Sequence, residues 1–346
     1  MKKFQKVLLW VIIGVFIETS LLWYLDKYIL DNNINVKITK LIYKEKEENY
    51  NTKASIPLET KNIKISHEGS YISYLTEEKL NIIHVEKGVN ESLPISEKST
   101  ILDYTWVENR DRMLILEAQK EKNSNRINIS YYDVKKHEKE EIAHLAWSNN
   151  QGITGNILVS PVIEMIYVNI VEDEKSKVYM VDLMKNVKEV DLGETHIGNM
   201  LVTKENILLY ENLEDSVLMQ YNKGECKDIC KLASGRLWNL DDRGNIYFYA
   251  MGNSRISDIL YIDNASNLNN MKNKNFKKIS LDKEYSLSSI YVKANGEVYV
   301  EDGKHNLVKG YNSDKVFKYK GSFIGFYKYG FLYKNQSGDI KREEIK

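Results

Sequence analysis

The sequence is poor in cysteine, proline and histidine, with two, three and six of them in 346 residues, and each shortage narrows the field. Cys226 and Cys230, in Cys-Lys-Asp-Ile-Cys, would need two further ligands to hold zinc. They are expected in a surface loop, open to a small disulfide in an oxidising compartment. Three prolines against 24 tyrosines argue against a proline-rich stalk and for a sheet-rich chain. His67, His84, His137, His144, His196 and His305 stand singly, with no His-Glu-x-x-His or other metal spacing. Surface or hydrogen-bonded core roles are expected of them, and no metal site. There is no Gly-x-Ser-x-Gly turn and no glycine loop to cradle phosphate, so no catalytic residue and no cofactor is indicated. Surplus charge is missing too, since 49 Lys and Arg balance 49 Asp and Glu. Without a basic stripe, nucleic acid is not an expected partner.

The clearest local signal lies in residues 1–30. Lys2, Lys3 and Lys6 precede an apolar stretch from Val7 to Ile17 that resumes at Leu21–Leu25. From Val7 to Leu25 the segment is about long enough to cross the ~30 Å hydrocarbon core as one helix. The lysines predict a cytoplasmic N-terminus, and Trp10, Trp23 and Tyr24 suit the interfaces. A cleaved signal peptide, with Val7 to Ile17 as its apolar core, fits less well, because Glu18-Thr-Ser followed by Leu-Leu-Trp is a poor match to a small-residue cleavage site. The expectation is a single-pass cell-membrane anchor with an extracytoplasmic remainder. Glu18, near mid-membrane, points either to a polar partner on another helix or to a protonated or interface-reaching carboxyl. Residues 31–54 read as a polar juxtamembrane linker, charged over Lys44–Lys53.

From residue 55 to 346 the chain repeats itself. Lys64-Ile-Ser-His-Glu-Gly-Ser-Tyr-Ile-Ser-Tyr-Leu75, a charged break, then Leu80-Asn-Ile-Ile-His-Val85 read as three short strands and two tight turns. Variants recur, with breakers at Gly69, Asp111, Glu164, Glu205, Gly244, Gly296 and Gly330. Most breakers precede an apolar strand such as Met113-Leu-Ile-Leu116, Ile207-Leu-Leu-Tyr210 or Ile246-Tyr-Phe-Tyr249. A period of about 40–45 residues with four strands per unit predicts an all-β chain, a β-propeller of seven four-stranded blades, with six or eight as the alternatives. Ser55-Ile-Pro-Leu58 precedes the first unit as Ser92-Leu-Pro-Ile95 precedes the second. Residues 92–95 are therefore read as an outermost strand, and residues 55–58 as an N-terminal strand that completes the last blade and closes the ring.

The first repeat resembles those of TolB-type and WD40-like propellers and of the N-terminal propeller of dipeptidyl peptidase IV-like proteins. Leu240-Asp-Asp-Arg-Gly-Asn-Ile-Tyr-Phe248 is similar to the strand–turn–strand of NHL-type blades. The likeness covers residues 55–346 as repeat texture. It departs in having no Trp-Asp dipeptide and no hydrolase segment after the last repeat, so peptidase activity is not implied. Asp241-Asp-Arg-Gly-Asn245 hints at calcium but lacks the spaced ligands and final Glu of a calcium loop, and a hairpin turn is the better reading. Trp106 and Trp238 are expected between blades, with ligand stacking as the alternative.

An anchor and a complete ring without a catalytic cassette point to a non-enzymatic binding or scaffold module. Its expected partner is an envelope or membrane protein, a peptide or a glycan. The alternative is a propeller-type lyase, hydrolase or cyclase with its site at the channel mouth. Carboxylates, histidine or a metal would then converge there from separate blades.

Overall fold

A computed structural model describes residues 61–76, 79–93, 98–108, 110–150, 152–160, 165–232, 235–252, 255–263 and 276–345, with residues 5, 10, 14–16, 18–23 and 56. The chain divides into two units, Met1–Glu48 and Asn49–Lys346. In the first, the described residues are helical and exposed, Glu18 among them, and the Thr19 hydroxyl donates to the Val15 carbonyl at 2.8 Å. Among the described residues no helix is long and apolar enough to cross a membrane. Much of the expected anchor and all of the expected linker lie outside the described residues.

The second unit is a ring of seven antiparallel sheets at residues 61–92, 99–148, 154–190, 197–231, 235–285, 290–318 and 322–344. Each is a meander with its strands in chain order; six have four strands and the seventh has three among the described residues. The first strands of blades 1 to 5 follow one another around the axis, and that of blade 7, Ser322–Tyr327, lies against Lys61–Ile65 of blade 1. These innermost strands are irregular. Those of blades 1, 2, 4, 5 and 7 shift register against their neighbours, as bulges do at the rims of closed sheets.

The second strand of each blade explains why the sequence shows apolar runs there rather than alternation. Side chains on a strand point alternately to opposite faces, and here both faces are covered. Ile72 and Tyr74 pack against Tyr327, Leu332 and Ile340 of blade 7, whereas Tyr71 packs against Trp106 and Met113 of blade 2. Likewise Ile246 and Phe248 face blade 4 while Tyr247 faces blade 6. The buried core is accordingly seven separate clusters, one at each junction between neighbouring blades.

Polar bonds reinforce these junctions. Asp103 of blade 2 takes the Lys64 ammonium of blade 1 at 2.7 Å and the Ile157 amide of blade 3 at 2.9 Å. Asn199 of blade 4 donates to the Leu237 carbonyl of blade 5 at 2.8 Å. Between blades 7 and 1 the Lys328 amide donates to the His67 carbonyl at 3.3 Å.

The outermost strand of blade 1 is Val89–Ser92 rather than residues 92–95. Leu93 then turns inward, buried in the cluster between blades 1 and 2. Ile56, its counterpart in the earlier Ser-Ile-Pro-Leu, is buried in the cluster between blades 7 and 1; residues 55, 57 and 58 lie outside the described residues.

The seam between blades 7 and 1 depends on one glycine. Gly69 has φ of +72°, and a Cβ there would lie 3.1 Å from the Tyr327 ring. Gly224 has φ of +95° with open space around it. Gly224→Ala is therefore expected to cost about 1–2 kcal/mol from backbone strain alone. Gly69→Ala adds overpacking and should cost about 2–4 kcal/mol. Urea unfolding of the two variants checks this, and equal losses would mean that Tyr327 does not rest on Gly69.

Candidate functional site

The first strands and following turns of five blades surround a cavity of about 520 Å³ at one mouth of the channel. Residues of blades 1, 2, 5, 6 and 7 line it. Its walls are aromatic: Trp106, Tyr291, Phe326 and Tyr327. Tyr291 and Phe326 stack at 4.9 Å and 8°, and Trp106 stacks on Tyr71 at 5.6 Å while its ring nitrogen donates to the Ser73 hydroxyl at 2.8 Å. Trp106 is thus packed between blades and also borders the cavity. Trp238 packs against the cluster between blades 5 and 6.

Four charged side chains and one histidine complete the lining, and most of their charge is internally balanced. Lys64 is held by Asp103, and Asp242 pairs with Lys204 at 3.0 Å. Glu108 lies 3.8 Å from His67 Nδ1. Lys328 sits over the Tyr329 ring at 5.8 Å. His67 is pushed below the ordinary histidine range, first by burial and then by Lys328, against the opposing pull of Glu108, Glu68 and Asp242. It is therefore a neutral imidazole near pH 7, offering one donor and one acceptor. Burial raises the Tyr291 and Tyr327 phenols above their usual range, so both keep their protons.

Two buried polar atoms in this lining have no hydrogen-bond partner among the described residues: Nε2 of His67 and the hydroxyl of Tyr327. The His67 side chain is only 10% exposed and Tyr327 only 4%. An unmet buried donor or acceptor costs about 1–3 kcal/mol, so such groups mark places that something polar can fill.

Solved structures share this fold at low sequence identity. A prolyl endopeptidase matches at 10% identity, TM-score 0.53, over 83% of this chain and 47% of its own. Virginiamycin B lyase from Staphylococcus aureus matches at 10% identity, TM-score 0.51, over 86% and 97%. TolB from Acinetobacter baumannii matches at 12% identity, TM-score 0.45, over 73% and 64%. The chain is a seven-bladed β-propeller. At these identities the likeness is one of fold, and the chain spans about half the length of the endopeptidase it matches. No family model and no curated protein matches the sequence.

Of the residues singled out in the sequence, His67, Trp106 and Asp242 line the cavity, and the cysteines and Asp241 fall elsewhere. Cys226 and Cys230 are free thiols on one strand, Glu225–Lys231, rather than in a loop. Four residues of extended chain separate their Cα atoms by about 13 Å, twice what a disulfide spans, so the small bridge open from sequence is not formed here. Burial raises the Cys230 thiol to about 11, which makes it a poor nucleophile. Asp241 is a turn residue: its carboxylate accepts from the Arg243 and Asn245 amides, both at 2.9 Å, and from the Tyr247 hydroxyl at 3.0 Å. No group of three or more His, Cys, Asp or Glu suited to a metal occurs among the described residues.

The convergence of these residues on one mouth was missed because they come from blades far apart in sequence. One signal could have found them. His67, Asp242, Ala294 and Lys328 each stand two residues before a breaker of the repeat, at Gly69, Gly244, Gly296 and Gly330. Superposed repeats put them in one column, and that column is the rim.

Removing an unmet hydroxyl should not weaken the fold. Tyr327→Phe is expected to leave stability unchanged or raise it by about 1 kcal/mol. Tyr247→Phe, which removes one of two hydrogen bonds to a buried Asp241 oxygen, should cost about 1.5–3 kcal/mol, as bonds to charged groups do. Thermal melts of the pair decide the matter; a comparable loss in Tyr327→Phe would show that its hydroxyl is already bonded.

Proposed function

We propose that this chain is a membrane-anchored binding propeller that presents its channel mouth to a ligand or partner outside the cytoplasm. The observation that carries the reading is the pair of buried, unpartnered polar atoms of His67 and Tyr327 in an aromatic-walled cavity. Preformed concave sites of about 300–1,000 Å³ with a few placed polar groups are the usual form of a recognition site. The anchor part of the reading rests on the lysines at residues 2, 3 and 6 and the apolar stretch from Val7 to Leu25.

A second reading has its own observation. His67 and Glu108, 3.8 Å apart, form a histidine–carboxylate pair of the kind that serves general acid–base chemistry. Such a pair keeps a lyase, hydrolase or cyclase in view. No activated serine or cysteine nucleophile accompanies it among the residues that line the cavity, and binding is the reading we favour.

We further infer that the chain entering blade 1 covers the outer edge of the three-stranded blade 7. Ile56 supports this, since it is buried with Leu332 and Ile340 of blade 7, in the place that Leu93 holds one junction later. Ile56→Ala should then cost roughly 2–4 kcal/mol. A loss no larger than that of an exposed site would leave the edge uncovered by this segment.

The function itself is tested by co-purification of tagged full-length protein from gently solubilised membranes, beside a His67→Ala/Lys328→Glu variant and a Glu18→Leu variant. A partner kept by the parent and by Glu18→Leu but lost by the mouth variant is the expected result. Loss in Glu18→Leu alone would move recognition to the anchor and defeat the proposal.

A further inference from the structure

The lining of the mouth favours one kind of ligand over others, given that the mouth is a binding site as proposed above. Its formal charges cancel: Lys64 and Lys328 against Glu108 and Asp242, with His67 neutral. A phosphate or other strong anion would meet two carboxylates, and a polyamine would meet two ammonium groups. Neither gains from a site without a net field.

An extended peptide is disfavoured for a different reason. Peptides that dock by strand addition need a regular row of free backbone groups. The innermost strands of blades 1, 2, 5 and 7, all of which line the cavity, are each broken by a register shift.

What remains offers flat aromatic faces beside single polar groups of both senses. The Tyr327 hydroxyl can donate or accept, the imidazole of His67 presents an unused nitrogen, Glu108 accepts and Lys328 donates. An uncharged sugar ring matches this set. Its C–H faces lie against aromatic rings, and each hydroxyl is donor and acceptor at once.

We propose that the channel mouth binds an uncharged glycan segment, stacked on the aromatic wall formed by Tyr291, Phe326 and Trp106, with its hydroxyls satisfying His67 Nε2 and the Tyr327 hydroxyl. Filling both orphan atoms on binding converts a standing cost of the free protein into affinity for the ligand.

The test is a glycan array carrying neutral, anionic and amino-bearing oligosaccharides, probed with full-length protein in a detergent that has no sugar headgroup. Neutral oligosaccharides should be retained, with affinity at least tenfold lower in Tyr327→Phe and in His67→Ala. Tyr327→Phe keeps shape and packing, so its loss of binding cannot be ascribed to misfolding if its melt matches the parent's. An array that retains nothing, or only charged glycans, or neutral ones with affinity unchanged in both variants, overturns the proposal. If the array is blank while a membrane partner is still lost on changing His67 and Lys328, the glycan assignment fails and the binding reading stands. If both are negative, both fail.

Discussion

A sheet whose central strand is apolar on both faces cannot stop at an edge. That constraint governs this molecule. Tyr71, Ile72, Ser73 and Tyr74 are all buried, and alternation sends two of them one way and two the other. Each blade therefore demands a neighbour on each side, and the demand ends only when the last blade meets the first. Stability is spread over seven junction clusters rather than gathered in one centre, and the closing junction is no less apolar than the others.

The closing junction is also where the candidate site sits. Tyr327 rests on Gly69, and the Lys328 amide bonds to the His67 carbonyl, so the residues that join the ring's ends also border the mouth. Two of them leave a polar atom unmet. The neighbouring turn at Asp241 is satisfied, its carboxylate accepting from two backbone amides and from Tyr247. Asn169 and Ser313 also carry an unmet atom, each alone in its blade, whereas the mouth brings two together in a cavity, where a site keeps some instability in reserve for its ligand.

The architecture was largely legible in the sequence because the same physical demand is written into each repeat. The apolar runs such as Met113–Leu116 and Ile246–Tyr249 betray strands covered on both faces, and the described breakers between them fall in the turns or, for Gly330, at the start of a strand; Glu164 lies outside the described residues. The outermost strands were harder. Val89–Ser92 is exposed or half-buried, so its composition carries little pattern, and the more apolar Ser-Leu-Pro-Ile beside it was read as the strand. Cys226 and Cys230 misled for a related reason, since an exposed edge strand looks like a loop in composition. The mouth was illegible for another cause. Its residues are ordinary singly, and only the folding of five blades around one axis makes His67, Glu108, Asp242 and Lys328 neighbours. Tyr327 gave no signal at all, because a tyrosine in a chain of 24 does not announce that its hydroxyl is unpaired.

The seam has a consequence for how the protein is made. Blade 1 emerges from the ribosome early, yet the partners of Ile72, Tyr74 and Ile83 are Tyr327, Leu332 and Ile340, near the end of the chain. Until those arrive, the growing arc carries an open apolar flank at each end, as surfaces that favour association between nascent chains. A chain cut short by even its last thirty or so residues would keep that flank indefinitely, since the missing wedge is the one piece no other blade can replace. Biosynthesis of the ring is thus all-or-nothing at its final step, and quality control needs to watch only one gap.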